Sequence, residues 1–434
     1  MKRWVPSMLF VGWFLLLGLF LVGLIAGGDL PVDYRTYHLA AEKIGRTESP
    51  YGSPADSQAV WAKIHQLSRQ LYRNRPPPGE TEVQSGPYLY SPTLALLLQQ
   101  LRLNAILFTT LVFGAVIGFG WLWLRASQRN AFQPSAWWLL FIVFSWDVAA
   151  SYLGLNVELI LLALGLSAAW LLWHGRGLLA ALPIAFVVLI KPFFALLIAA
   201  FGLLMLLQRP ERRRKLRVVA LAAGGGMILI MLEVLRWPGW LREAAYDYFR
   251  NALMHQWLVL PLPEQTPMSI WNRAPLQLLV NLGIEATLAQ WLALLLWAIL
   301  LLVSLWKTHR CSLSFAHTFA LAYILFLWGR PVSWTLPYLE IVLLLALWPY
   351  TRTTWQQTAL LIAVGALTAS HWLALVRTAL AINANLFTLQ TASIPWETVL
   401  FLPLCWLLLV LAAEKAPTES SGATLGSNGQ TQDQ

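Results

Sequence analysis

Charge is scarce in this chain: of 434 residues only 12% are Asp, Glu, Lys or Arg, while 58% are hydrophobic. An ordinary soluble domain is roughly 45–50% apolar, so a soluble globular fold is disfavoured and a membrane protein is the expectation. Cysteine is nearly absent, and Cys311 and Cys405 fall in or beside apolar runs with no metal or redox spacing. Neither a disulfide scaffold nor a cysteine metal site is indicated. No Walker loop, dinucleotide fingerprint or zinc spacing is present, which leaves cytosolic nucleotide chemistry without support. No internal repeat and no pair of ionisable residues at mid-span is present either, and these are features a transporter carries. Acid is scarcer than base, 20 against 30, for a net charge of +10. That excess sits mostly in short loops beside apolar runs, where Lys and Arg set orientation, so no nucleic-acid partner is inferred.

What the chain has in abundance is apolar runs. Met8 to Ala26, Leu103 to Leu124, Leu155 to Trp173, Val218 to Leu235 and Thr287 to Trp306 each hold about 18 or more nearly uncharged residues, enough to cross hydrocarbon. The first follows Met1-Lys2-Arg3 with no small-x-small site after it, and reads as a retained signal anchor. The 24 Trp suit belts at the headgroup level. Lys2/Arg3, Arg125/Arg129, His174/Arg176, Arg209 to Arg217, Lys307/Arg310, Arg352 and Lys415 mark the inner side. Alternation then puts the tip Ser151-Tyr-Leu-Gly-Leu-Asn156 outside, with outer loops over 27–92 and 236–285. The stretch Leu178 to Gln208 is too long for one crossing and is expected to break at Lys191-Pro192 into two short ones. Val60, Trp61, Ile64, Leu67 and Leu71 recur at helical spacing opposite Lys63, Arg69 and Arg73, as in a helix lying on a bilayer. Ser91 to Leu103 is too short to cross. The expected architecture is an all-α integral membrane protein of about 10–12 transmembrane helices: one polytopic domain over 1–413, and a disordered polar tail over 414–434.

The few charges are not scattered evenly. In this orientation Asp29, Asp33, Arg35, Asp147, Glu158, Lys191, Glu233, Arg236, Arg330 and Glu340 all fall at or just beyond the outer ends of spans. A charge at membrane depth costs about 2.5–3.5 kcal/mol on insertion scales, so each needs a reason to be there. Acids and bases converging at one depth suit an outward-opening polar cavity. Taken singly, Glu233, Arg236 and Glu340 are better explained by helix-dipole and snorkelling roles. Asp33 is different, because it opens the first outer loop in Gly28-Asp-Leu-Pro-Val-Asp33-Tyr-Arg-Thr-Tyr37. A carboxylate pair with Asp29 would supply a general base.

Four motifs in order resemble the GT-C glycosyltransferases, and among them glycosyltransferase family 87, the polyprenyl-phosphate-mannose-dependent mannosyltransferase type. They are Asp33 and Tyr37 followed by Ser49-Pro50-Tyr51; Tyr88-Leu-Tyr-Ser-Pro92; Gly154-Leu-Asn156 followed by Lys191-Pro192; and Arg330-Pro-Val-Ser-Trp334. The likeness extends to about Leu347. Departures from the family pattern are Leu155 where Gln is usual, Arg330 where Ser is usual, and Leu336-Pro337 in place of a polar or His pair.

The resemblance implies a GT-C-like bundle with its active site on extracytoplasmic loops. It implies transfer of a sugar, mannose in the family, from a polyprenyl-phosphate donor to a lipid or glycan acceptor, with inversion. No cofactor is expected, and the sequence leaves a divalent-metal requirement open. Asp33 is then the catalytic base, since a hydroxyl must lose its proton as it attacks. Lys191, Arg330 and Arg35 are candidates to hold the donor phosphate. Tyr37, Tyr90, Asn156, Trp334 and Asp147 are candidates to line the sugar and acceptor pocket. The nearest rival is an envelope polysaccharide polymerase or ligase that relies on Arg250, His255 and Arg273 of the second outer loop, and a transporter is a more distant one.

Overall fold

The structure, a computed structural model, describes residues 5–28, 30–51, 90–128, 146–208, 211–251, 275–276, 279, 283–311, 313–330, 339–351, 353–364 and 402–412. Among these residues every regular element is helical and there is no strand. In chain order they are α1 (Val5–Ala26), α2 (Val32–Gly45), α3 (Pro92–Gln100), α4 (Ala105–Gln128), α5 (Trp146–Leu153), α6 (Glu158–Trp173) and α7 (Gly177–Ile190). Then come α8 (Phe194–Leu207), α9 (Arg212–Arg236), α10 (Gly239–Asn251), α11 (Ala286–Arg310), α12 (Phe315–Gly329), α13 (Leu339–Leu347) and α14 (Leu402–Ala412). Asp29, Trp334, His255, Arg273, the Val60 to Leu71 stretch and the 414–434 tail lie outside the described residues.

Three helical stretches are long and apolar enough to cross a membrane by length and composition: Ala105–Trp123, Arg212–Arg236 and Thr287–Arg310. Shorter apolar helices accompany them, α6, α7 and α12 included. Helix α9 shows why a bilayer suits the chain. Only 17% of its apolar window is buried, and Met227, Ile228, Met231, Leu232 and Leu235 all stand exposed. Each such side chain left in water forgoes about 1.5–3 kcal/mol, and a contiguous apolar helix face of this kind suits contact with lipid.

Helix breaks follow the local chemistry. Lys191 turns to an extended conformation (φ −140°, ψ 95°) ahead of Pro192, as the residue before a proline prefers, and α8 resumes at Phe194. Helices α7 and α8 hold 14 residues each. At 1.5 Å per residue each is about 21 Å long. Helix α3, with nine residues, is about 13.5 Å long, less than half of a hydrocarbon core.

Small residues decide which helices pack. A Cβ on Gly177 would lie 2.4 Å from the Val218 carbonyl oxygen, and one on Gly225 would lie 3.0 Å from Ala181 Cβ. Helices α7 and α9 therefore meet backbone to backbone, as glycine allows between apolar helices. At the centre lies α12, buried on all sides from Phe315 to Leu327. Phe315 sits among Trp123, Trp170, Trp173 and Phe201, while Gln208 donates to Thr318 Oγ1 at 2.9 Å. The other end of α12 delivers Arg330 to the start of α6, so α6 and α12 run antiparallel. On the same side Tyr34 of α2 donates to Leu103 O at 2.8 Å, which anchors α2 beside the start of α4.

Candidate active site

Helix α2 begins at Val32 because Pro31, at its N-cap, has a fixed φ and no N–H to lose (φ −55°, ψ 143°). Asp33 thus falls in the first turn, where the helix dipole favours an acid. Its backbone N–H donates to Gly154 O at 3.2 Å, which pins α2 to the turn between α5 and α6. In that turn Leu155 takes φ +54°, a left-handed conformation that costs a side-chain-bearing residue about 1–2 kcal/mol. The turn aims two side chains inward: Asn156 Oδ1 accepts the Glu158 N–H at 2.8 Å, and the Asn156 side chain also hydrogen-bonds Asp33.

Glu158 is the hub. Its Oε1 accepts from Arg330 Nη2 at 2.9 Å and from Lys191 Nζ. Glu158, Lys191 and Arg330 are 3%, 9% and 4% exposed, so all three charges are withdrawn from solvent. The second oxygen, Glu158 Oε2, is buried with no hydrogen-bond partner among the described residues. Lys191 Nζ also lies 5.2 Å over the Tyr90 ring, and the Arg330 guanidinium 5.0 Å over Phe326, contacts that favour a cation over an aromatic face. With Asp33 the cluster holds two acids and two bases, a formally neutral set. That balance is what makes the burial tolerable, since an uncompensated buried charge costs several kcal/mol.

Two tyrosines close the other side. Tyr37 Oη donates to Tyr90 Oη at 3.3 Å and accepts from the Val157 N–H at 3.2 Å, while the two rings meet edge to face. Tyr51 Oη donates to Tyr90 O at 3.0 Å, and the Ser91 N–H donates to Ile190 O at 3.1 Å. The Ser-Pro-Tyr turn, the Tyr90-Ser91 segment and the end of α7 are thus tied together. Burial pushes the hydroxyls of Tyr37 and Tyr90 above the ordinary tyrosine range, so both stay protonated.

Asp33 is pushed up to about 6, first by burial and then by the negative charge of Glu158, against the pull of Lys191 and the Asn156 hydrogen bond. A carboxylate in that range is ionised at neutral pH yet basic enough to take a proton usefully.

Of the residues singled out in the sequence, Asp33, Tyr37, Tyr90, Asn156, Lys191 and Arg330 are brought together. Arg35 lies on α2, where its Nη2 donates to Leu30 O at 3.4 Å. Asp147 is placed on α5 by its backbone. Glu233 and Arg236 pair with each other at 3.2 Å at the end of their own helix. The carboxylate that the structure shows beside Asp33 is Glu158, which the sequence reading left without a role. A signal for it exists: an acid at the very start of an apolar run needs a buried cation.

Beside Arg330, a crevice of about 140 Å³ opens between α8, α11 and α12, walled by Leu196, Ala293, Leu294, Trp297 and Trp328. It is mostly apolar, and Arg330 is among its lining residues. Comparison of the chain with protein families, curated proteins and solved structures gives no match.

Proposed function

We propose that this chain is a GT-C-like membrane glycosyltransferase, resembling glycosyltransferase family 87, which moves a sugar, mannose in the family, from a polyprenyl-phosphate donor to a lipid or glycan acceptor. The observation that carries the reading is convergence. Segments spread from residue 33 to residue 330 meet in one buried cluster that pairs a perturbed carboxylate with two cations. Those segments hold the motifs on which the resemblance rests.

In this reading Asp33 accepts the proton of the acceptor hydroxyl as its oxygen attacks the anomeric carbon. The bond from that carbon to the phosphate oxygen breaks, and the electron pair leaves with the polyprenyl phosphate. Displacement from the far side inverts the anomeric carbon. Lys191 and Arg330 stabilise the charge that grows on the phosphate, an effect that is strong in a dry site. Both cations converge on one carboxylate oxygen of Glu158, the two-point pattern that a phosphate would also satisfy. The apolar crevice beside Arg330 suits the start of a polyprenyl chain. Tyr37, Tyr90 and Asn156 border the sugar, and Trp334, Asp147 and Arg35 belong to the same proposal.

The bundle of about 10–12 spans and the extracytoplasmic side of the site are parts of this proposal too. Arg125, His174 and Arg176 gather at the end of α4 and α6 remote from Glu158, and inward-facing loops carry such bases. The test is Asp33→Asn in membranes supplied with radiolabelled polyprenyl-phosphate mannose. Transfer is expected to fall at least a hundredfold, while undiminished transfer removes Asp33 from the base role and favours the polymerase reading. Lys191→Ala and Arg330→Ala are expected to weaken donor use more than acceptor use.

A further inference from the structure

A second cavity, of about 670 Å³, lies between α4 and α6. Its size falls in the roughly 300–1,000 Å³ range of ligand pockets. Gly114 and Gly118 of α4 form part of one wall, with Ile160 and Ala163 of α6 opposite. Two glycines four apart ordinarily let a second helix approach closely. Here a Cβ on either would meet nothing within 4 Å among the described residues, so neither glycine is used for a close helix contact among them.

The two walls end in basic residues. Arg125, His174 and Arg176 line the same cavity, and no carboxylate is among its described lining residues. Arg125 is steadied over the Trp121 ring at 5.2 Å, and His174 Nδ1 lies 2.8 Å from Trp170 O. Neither Arg125 nor Arg176 has an ion pair among the described residues. Gly114 and Arg125 are 11 positions apart, about 16 Å of helix, which matches the half-thickness of a hydrocarbon core, about 15 Å. A soluble anion would fill the cationic end and leave that apolar length bare. A lipid fills both.

We propose that the groove between α4 and α6 binds an anionic phospholipid, with its headgroup phosphate on Arg125, His174 and Arg176 and one acyl chain along Gly114, Gly118, Ile160 and Ala163. Basic pockets between membrane helices on the inner side have this chemistry. The site is distinct from the Glu158 cluster and does not depend on the glycosyltransferase reading. Ile160 and Glu158 share α6, so an occupied groove would brace the helix that carries the hub.

Native mass spectrometry of the full-length protein in detergent tests this directly. Phosphatidylglycerol is expected to bind about tenfold more tightly than phosphatidylcholine, since its net negative charge is drawn to the basic end of the groove. Arg125→Ala with Arg176→Ala is expected to abolish that preference while leaving weak binding of both lipids. Gly118→Leu, which fills the groove from a position where an added Cβ meets nothing within 4 Å among the described residues, is expected to lose both lipids with an unchanged melting temperature. Inorganic phosphate at millimolar concentration is expected not to displace the lipid, which separates a headgroup site from a free-phosphate site. Equal affinity for the two lipids, selectivity that survives the double substitution, or lipid retained by folded Gly118→Leu protein would each overturn the proposal. So would a dimer that Gly118→Leu converts to monomer, because the groove would then be a contact between two copies.

Discussion

Neutralising Glu158 by Glu158→Gln keeps its shape and removes the charge on which Lys191 and Arg330 converge. The cluster then passes from two acids and two bases to one acid and two bases, with both cations still buried. At the 2.9 Å separation of Arg330 Nη2 and Glu158 Oε1, an effective dielectric of about 20 gives a gross attraction of about 6 kcal/mol for that contact. Desolvation offsets much of this in the intact protein, but removing one partner leaves the desolvation in place. The expected cost is therefore about 3–5 kcal/mol, in the range for breaking a buried pair. Arg330→Met is expected to cost a similar amount, since it leaves two acids facing one base. Combining the two restores neutrality, so the double variant is expected to lose less than the sum of the singles by about 1–3 kcal/mol. Reversible unfolding in mixed micelles, titrated with a denaturing detergent, measures all four corners of the cycle. Additivity within about 0.5 kcal/mol would refute the shared charge balance, as would single variants that cost less than about 1 kcal/mol.

Asp33 makes stability depend on pH. Its folded value, about 6, exceeds the ordinary 3.8, so the folded state holds the proton more tightly and stability falls as pH rises through that window. Asp33→Asn removes the slope, and its melting temperature is expected to gain on the parent between about pH 4 and pH 6, then hold that lead. If Asp33 is the base, kcat/KM for sugar transfer rises with unit slope to a plateau above about pH 6, which initial rates across a buffer series will show. Gly177→Ala places a methyl 2.4 Å from the Val218 carbonyl oxygen and forces α7 and α9 apart. A loss of about 1–3 kcal/mol is expected from such overpacking, seen as a lower melting temperature in detergent.

Class and segmentation were legible from local chemistry. Apolar runs made helices, a proline after Lys191 ended one, and a short run at Pro92 made a helix too brief to cross. Scarcity of charge also exposed Asp33, Lys191 and Arg330 as residues needing an explanation, because in so apolar a chain each ionised group is costly. Hydropathy and period, however, report only on neighbours along the chain. Which carboxylate would meet those two cations depends on contacts across 33 and 172 positions, and these are set by how α6, α7 and α12 pack. The approach of α7 to its neighbour α9 turns on single glycines, where a few tenths of an ångström decide it, and the entry to α6 on Leu155, held in a conformation its residue type disfavours. Tertiary structure alone therefore made Glu158 the hub, set Asp33 beside it, and gave the glycines of α4 a place on the wall of a groove shared with α6.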